Sequence, residues 1–130
     1  MEILNKELEK SFIVKNNHSA IELGSGDLEV LSTPMLVAYM EETSRDLINK
    51  YISSEFTSVG SNININHLKP TKLGYSVKII SKINNIIKDK IVVFLIEAYE
   101  ISEEGNSSKI GDAEHTRVIV NREKFLIKLS

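Results

Sequence analysis

The sequence predicts an α+β fold in which a curved antiparallel sheet wraps around one long helix. Three observations predict it. A single long helical pattern opens at Thr33-Pro34, and the chain after it reads as strand almost to its end. The apolar residues of that helix spread around most of its first half, whereas a flat sheet would cover one side only. At 130 residues the chain reads as one undivided domain, 1–130.

The elements follow in order. Ser11 to Val14 reads as a short strand, and the stretch from Asn16 through Gly24-Ser25-Gly26-Asp27 has loop chemistry. Thr33-Pro34 is a strong helix start. A threonine hydroxyl accepts a hydrogen bond from the first turn, and proline at the first helical position sacrifices none. From Pro34 to about Tyr51, Leu36, Val37, Met40, Leu47, Ile48 and Tyr51 recur at three- and four-residue spacing. Met35, Ala38 and Tyr39 widen that stripe, and Glu41, Glu42, Arg45 and Asp46 interrupt it. Strands are then expected at Gly60–His67, Tyr75–Ile87, Ile91–Ser102 and Lys109–Val120, joined as a four-strand meander, with Phe125–Leu129 as a tail. Lys88-Asp89-Lys90 and Glu103–Ser107 are the turns between the last three. Open strand edges invite a second copy.

Composition excludes several classes of function. A hydrophobic fraction of 42% supports a packed core and argues against disorder. The net charge of -2 and the scattered lysines disfavour nucleic acid as a partner. Without cysteine there is no disulfide, thiolate metal site or cysteine nucleophile. Charges crowd the N-terminus where a signal peptide needs an apolar run. The longest apolar run, Ile91–Ile96, has the length of a strand and not of a membrane span. A soluble cytoplasmic protein with no membrane association is the expectation.

The chemistry-bearing residues each admit a bland reading beside a functional one. Period-two alternation through Gly60-Ser61-Asn62-Ile63-Asn64-Ile65-Asn66-His67 delivers an imidazole to the end of a strand, beside a turn marked by Pro70 and Gly74. His67 is there a general acid, a base or an orienting donor, or merely a terminal histidine. Glu41, on a helix with a broad apolar stripe, suits base chemistry near neutral pH, or simply pairs with Arg45 at i+4. Thr33 caps the helix, and its hydroxyl can also hold a carboxylate or water. Gly60 is a bulge glycine or a point where a ligand nears a backbone N–H. Alternation sets Ala113, His115 and Arg117 on one face, which reads as solvated, as a subunit contact or as a phosphate-binding face. His18 lies in a loop. Three widely separated histidines give no metal-ligand spacing, so no metal is expected.

Taken together, Thr33-Pro34-Met35…Met40-Glu41, Val59-Gly60, His67-x-x-Pro70-Thr71-x-x-Gly74 and Gly111…His115-x-Arg117 resemble the fluoroacetyl-CoA thioesterase-like branch of the hotdog-fold thioesterases, over roughly residues 10 to 125. The resemblance implies a hotdog fold, a homodimer or dimer of dimers whose interface shapes the pocket, and hydrolysis of a short-chain acyl-CoA without a cofactor. It implies a catalytic set of Thr33, Glu41 and His67, with Gly60 close to the substrate. Lys69, Lys72 and Arg117 are the cations offered to the CoA phosphates. The family's name-giving enzyme carries phenylalanines before the helix, as a lid. Here no aromatic residue lies between Phe12 and Tyr39, which points to a general short-chain acyl group and away from fluoroacetyl selectivity. A non-catalytic module binding an acyl thioester is the main rival. A purely structural dimer is another. A hotdog hydratase acting on an enoyl thioester is a further rival.

Overall fold

The computed structural model describes residues 1–130. Five strands, β1 (Glu7–Ile13), β2 (Phe56–His67), β3 (Ser76–Ile87), β4 (Ile91–Ile101) and β5 (Ser107–Asn121), form one antiparallel sheet. Its concave face holds the helix α1 (Thr33–Asn49), and a short helix α2 (Arg122–Ile127) closes the chain. The last element corrects the expected tail strand: Asn121 caps Lys124 N–H at 3.0 Å and turns the chain into a helix.

The strand order is β1-β3-β4-β5-β2, so the expected four-strand meander is a three-strand one. β2 does not pair with the strand that follows it. It lies at the far edge against β5, from Phe56↔Asn121 to His67↔Gly111, with a bulge between Gly60 and Asn62. The connection from His67 to Ser76 is long enough to cross, and it is pinned midway where Leu31 N–H donates to the Thr71 carbonyl at 2.9 Å. Three residues, Lys88-Asp89-Lys90, join β3 to β4: Lys88 and Asp89 take φ of 56° and 53°, a double positive φ that matches strand twist, and Lys90 N–H closes the turn on the Ile87 carbonyl at 3.1 Å.

Other boundaries moved as well: β2 begins at Phe56, four residues before the expected Gly60, and β5 at Ser107, two before the expected Lys109. β1 starts at Glu7, earlier than expected, where its alternation of half-buried and exposed residues begins. The cap of α1 is Ser32, whose Oγ accepts from Met35 N–H at 3.1 Å; Thr33 is the first helical residue. The helix buries Leu36, Tyr39, Met40, Thr43, Ser44, Leu47 and Ile48. These meet Val77, Ile79, Ile83, Val92, Phe94, Ile96 and Ala98 from the sheet. Each such side chain contributes roughly 1.5–3 kcal/mol when taken from water. Polar groups inside this layer are paired: Thr43 Oγ1 donates to the Tyr39 carbonyl at 2.8 Å, and the Ser44 and Ser81 hydroxyls share a 2.8 Å hydrogen bond. No helix is long and apolar enough to cross a membrane.

Candidate active site

The N-terminus of α1 and the C-terminus of β2 converge. Thr33 Oγ1 stands 2.7 Å from His67 Nδ1. Because Ser32 caps the helix, the Thr33 hydroxyl is spared that duty and reaches the imidazole. His67 faces inward, opposite Gly111 on β5, and its Nε2 is buried without a hydrogen-bond partner. Burial lowers the His67 pKa below that of an ordinary histidine; the nearby Lys69 backbone opposes this without closing a hydrogen bond. The ring is therefore neutral at pH 7. A cleft of about 280 Å³ opens here, lined by Ser25, Val30, Thr33, His67, Leu68 and Lys69 among others. Lys69 is exposed and bonds the Ser108 hydroxyl.

Glu41 lies elsewhere. Eight residues along α1 amount to about 12 Å, and Glu41 makes no hydrogen bond to Thr33 or His67. Its side chain is 43% exposed and so is not enclosed in apolar surroundings, and the expected pairing with Arg45 is replaced by one with Arg117, 3.8 Å away. Arg45 pairs with Asp46 instead. A Cβ built on Gly60 would stand 2.8 Å from Glu41 Oε2. Gly60 thus leaves room for the carboxylate, and any side chain there would displace it.

The face of β5 that carries Ala113, His115 and Arg117 points inward, which corrects the solvated reading. Their exposures are 7%, 1% and 7%. Arg117 donates through Nε to Ser58 Oγ at 2.7 Å and through Nη2 to the Ser58 carbonyl at 3.0 Å. Its Nη1 stands 3.2 Å from His115 Nε2. A guanidinium so committed faces Glu41 and not a phosphate in solvent. Burial lowers the His115 and Arg117 pKa values. Ser58 is a neighbour of Arg117 that the sequence did not single out; the signal available was phase, because it pairs across the sheet with the inward Ile119, in step with Ala113, His115 and Arg117. A larger cleft, about 640 Å³, lies along the sheet between Asn64, Lys82, Glu97 and Glu114, and Thr33, Glu41, His67, His115 and Arg117 do not line it.

A curled antiparallel sheet around a central helix is the fold of the hotdog thioesterases. The family model described as fluoroacetyl-CoA-specific thioesterase, FlK, matches residues 14–123, and the chain belongs to that family. It is an acyl-CoA thioesterase by that membership. No curated protein sequence matches it significantly. Among solved structures, the fluoroacetyl-CoA thioesterase FlK is similar with a TM-score of 0.86 at 20% identity, covering 97% of this chain and 93% of that one. A hypothetical protein of Thermus thermophilus, described as a thioesterase superfamily member, is similar with a TM-score of 0.84 at 21% identity, covering 97% and 89%. A hot-dog-like protein from Thermanaerovibrio acidaminovorans gives 0.83 at 17%, also covering 97% and 89%. At these identities the structural likeness carries the fold.

Proposed function

We propose that the protein hydrolyses a short-chain acyl-CoA thioester with Thr33, Glu41 and His67, at a site completed by pairing two copies along β2. The observation that carries this reading is the Thr33–His67 hydrogen bond of 2.7 Å with an unpartnered imidazole nitrogen beside it. Glu41 is too far along α1 to serve the same carbonyl carbon within one chain. β2 is an edge strand, and antiparallel pairing with its own copy, centred on Asn64 with the bulge at Ser61 taking up one residue, sets Gly60 opposite the partner subunit's His67. Each dimer then has two sites. Each combines Thr33 and His67 from one copy with Gly60 and Glu41 from the other.

In such a site the Gly60 N–H meets the developing oxyanion, an interaction worth about 3 kcal/mol of barrier. Glu41 removes a proton from water as the oxygen adds to the carbonyl carbon, or its carboxylate adds to that carbon itself to give, once the thiolate leaves, an anhydride that water then cleaves to the free acid and the Glu41 carboxylate. The tetrahedral intermediate expels the CoA thiolate, which takes up a proton. Thr33 and His67 hold the attacking oxygen or the leaving sulfur through the free Nε2. Lys69, exposed beside His67, meets a CoA phosphate. The protein works in the cytoplasm and needs no cofactor.

The experiment is CoA release from a panel of acyl-CoAs, read with a thiol-reactive dye, with Glu41→Gln, Thr33→Val and His67→Ala alongside. Release by wild type and loss in the variants is expected. No release from any member, or a Glu41→Gln rate equal to wild type, overturns the mechanism; binding without release identifies a ligand-binding module. Single turnover in ¹⁸O water separates the two routes, since only the anhydride leaves label in Glu41.

A further inference from the structure

We infer that His115 is a positioning residue for Glu41: locked as one neutral tautomer, it accepts from Arg117 and aims the guanidinium at the Glu41 carboxylate. The inference rests on the proposed role of Glu41.

The hydrogen bonds leave one arrangement. His115 Nδ1 is 2.7 Å from the Asn62 carbonyl, which only accepts, so Nδ1 carries the proton. Nε2 is 3.2 Å from Arg117 Nη1, which only donates, so Nε2 presents a lone pair. A ring with both nitrogens protonated would turn an N–H against the guanidinium. The side chain is 1% exposed and stacks on Phe94 at 6.1 Å between centroids, so it has no room to rotate.

Arg117 is specified by the same set. Ser58 takes Nε and Nη2, and only Nη1 remains to be directed. Nη1 is the nitrogen that His115 holds and also the one 3.8 Å from Glu41 Oε2. The guanidinium is planar, so the two Ser58 bonds set its plane, and the Nε2 acceptor gives Nη1 the partner that holds it within that plane beside the carboxylate. His115 also reaches Asn62, the residue after the Gly60 bulge, and its Cε1 would lie 3.4 Å from a Cβ on Gly60. One imidazole therefore ties β5 and β2 to the carboxylate of α1. Arg117 and Glu41 are the charged groups facing it; β4 offers Phe94 and β2 a carbonyl.

The test uses two substitutions that divide the imidazole. His115→Gln places an amide oxygen near the Nε2 position and keeps an acceptor for Arg117. His115→Asn keeps the donor to Asn62 and removes that acceptor. His115→Asn is expected to lose kcat about 10- to 100-fold with KM within about twofold, the loss of one hydrogen bond to a charged group. His115→Gln is expected to recover most of kcat. Thermal melts report folding in both. Nitrogen-15 NMR of wild type reads the tautomer and the mobility of the Arg117 guanidinium without any substrate. An imidazolium or Nε2–H tautomer at pH 7 overturns the inference, as does an Arg117 guanidinium equally ordered in His115→Asn, or equal kcat in a folded His115→Asn. A wild type inactive on every acyl-CoA overturns the proposed function instead, and the NMR still decides how Arg117 is held.

Discussion

Thr33 Oγ1 and His67 Nδ1 stand 2.7 Å apart because Ser32, one residue earlier, caps α1 through the Met35 N–H. Capping and chemistry are thus divided between adjacent hydroxyls. Ser32→Ala is expected to cost about 1 kcal/mol of stability. Thr33→Val, isosteric and without a capping role, is expected to leave urea midpoints near wild type and lower kcat by about 10-fold or more. Equal loss of stability in both would contradict the division.

A shared site makes complementation the sharpest test of the dimer. Glu41→Gln and His67→Ala, each inactive alone, are mixed after unfolding and refolded together. Half of the dimers are then mixed, and each mixed dimer holds one site with both residues intact, so about one quarter of wild-type activity is expected. No recovery would place Glu41 and His67 in the same subunit.

Two glycines separate a functional constraint from a structural one. At Gly60 an added Cβ meets the Glu41 carboxylate at 2.8 Å, and at Gly111 it meets the Asn66 backbone carbonyl at 2.8 Å. Gly60→Ala moves a side chain, so kcat is expected to fall about 10-fold or more while the melt stays near wild type. Gly111→Ala must move a strand, and a loss of about 1–3 kcal/mol is expected. Chemical denaturation and CoA release, measured on both, check the contrast.

The histidines set an acid limit to stability. Burial lowers His18, His67 and His115 below their usual 6.5. The unfolded chain then binds protons that the folded chain refuses, so this stability is complete above about pH 6.5 and is lost as pH falls through the window beneath it. Urea midpoints are expected to be lower at pH 5.5 than at pH 7.5. An unchanged midpoint would contradict the burial of these rings.

The helix, the hairpins and the strand that ends at His67 were legible because each is written locally, in a Thr-Pro start, turn residues and period-two alternation. The partner of β2 was not. Neighbouring strands usually pair, and nothing local in Leu68–Tyr75 states that this connection crosses to Thr71 and Leu31. Thr33, Glu41 and His67 could be singled out as candidates, but their placement in two separate clusters depends on that same pairing. His115 and Arg117 read as surface because charge usually marks solvent; their burial follows from Ser58 and Asn62 supplying partners from a strand more than 50 residues away. The loop histidine His18 likewise proves anchored, with Nδ1 2.7 Å from a Tyr39 hydroxyl that burial pushes up to about 12.

β2 is in effect a ruler with a functional mark near each end. Gly60 and His67 are seven residues apart and both face inward, because the bulge after Gly60 takes up one residue and the strand alternates faces from Asn62 onward. Inserting or deleting one residue among Ile63–Asn66 would turn every later side chain over, sending His67 to the outer face and away from Thr33. This interval therefore tolerates exchange of residues but not change of length. New acyl preferences in this molecule have to be written in the Gly24–Val30 loop at the cleft mouth, where added residues shift no register.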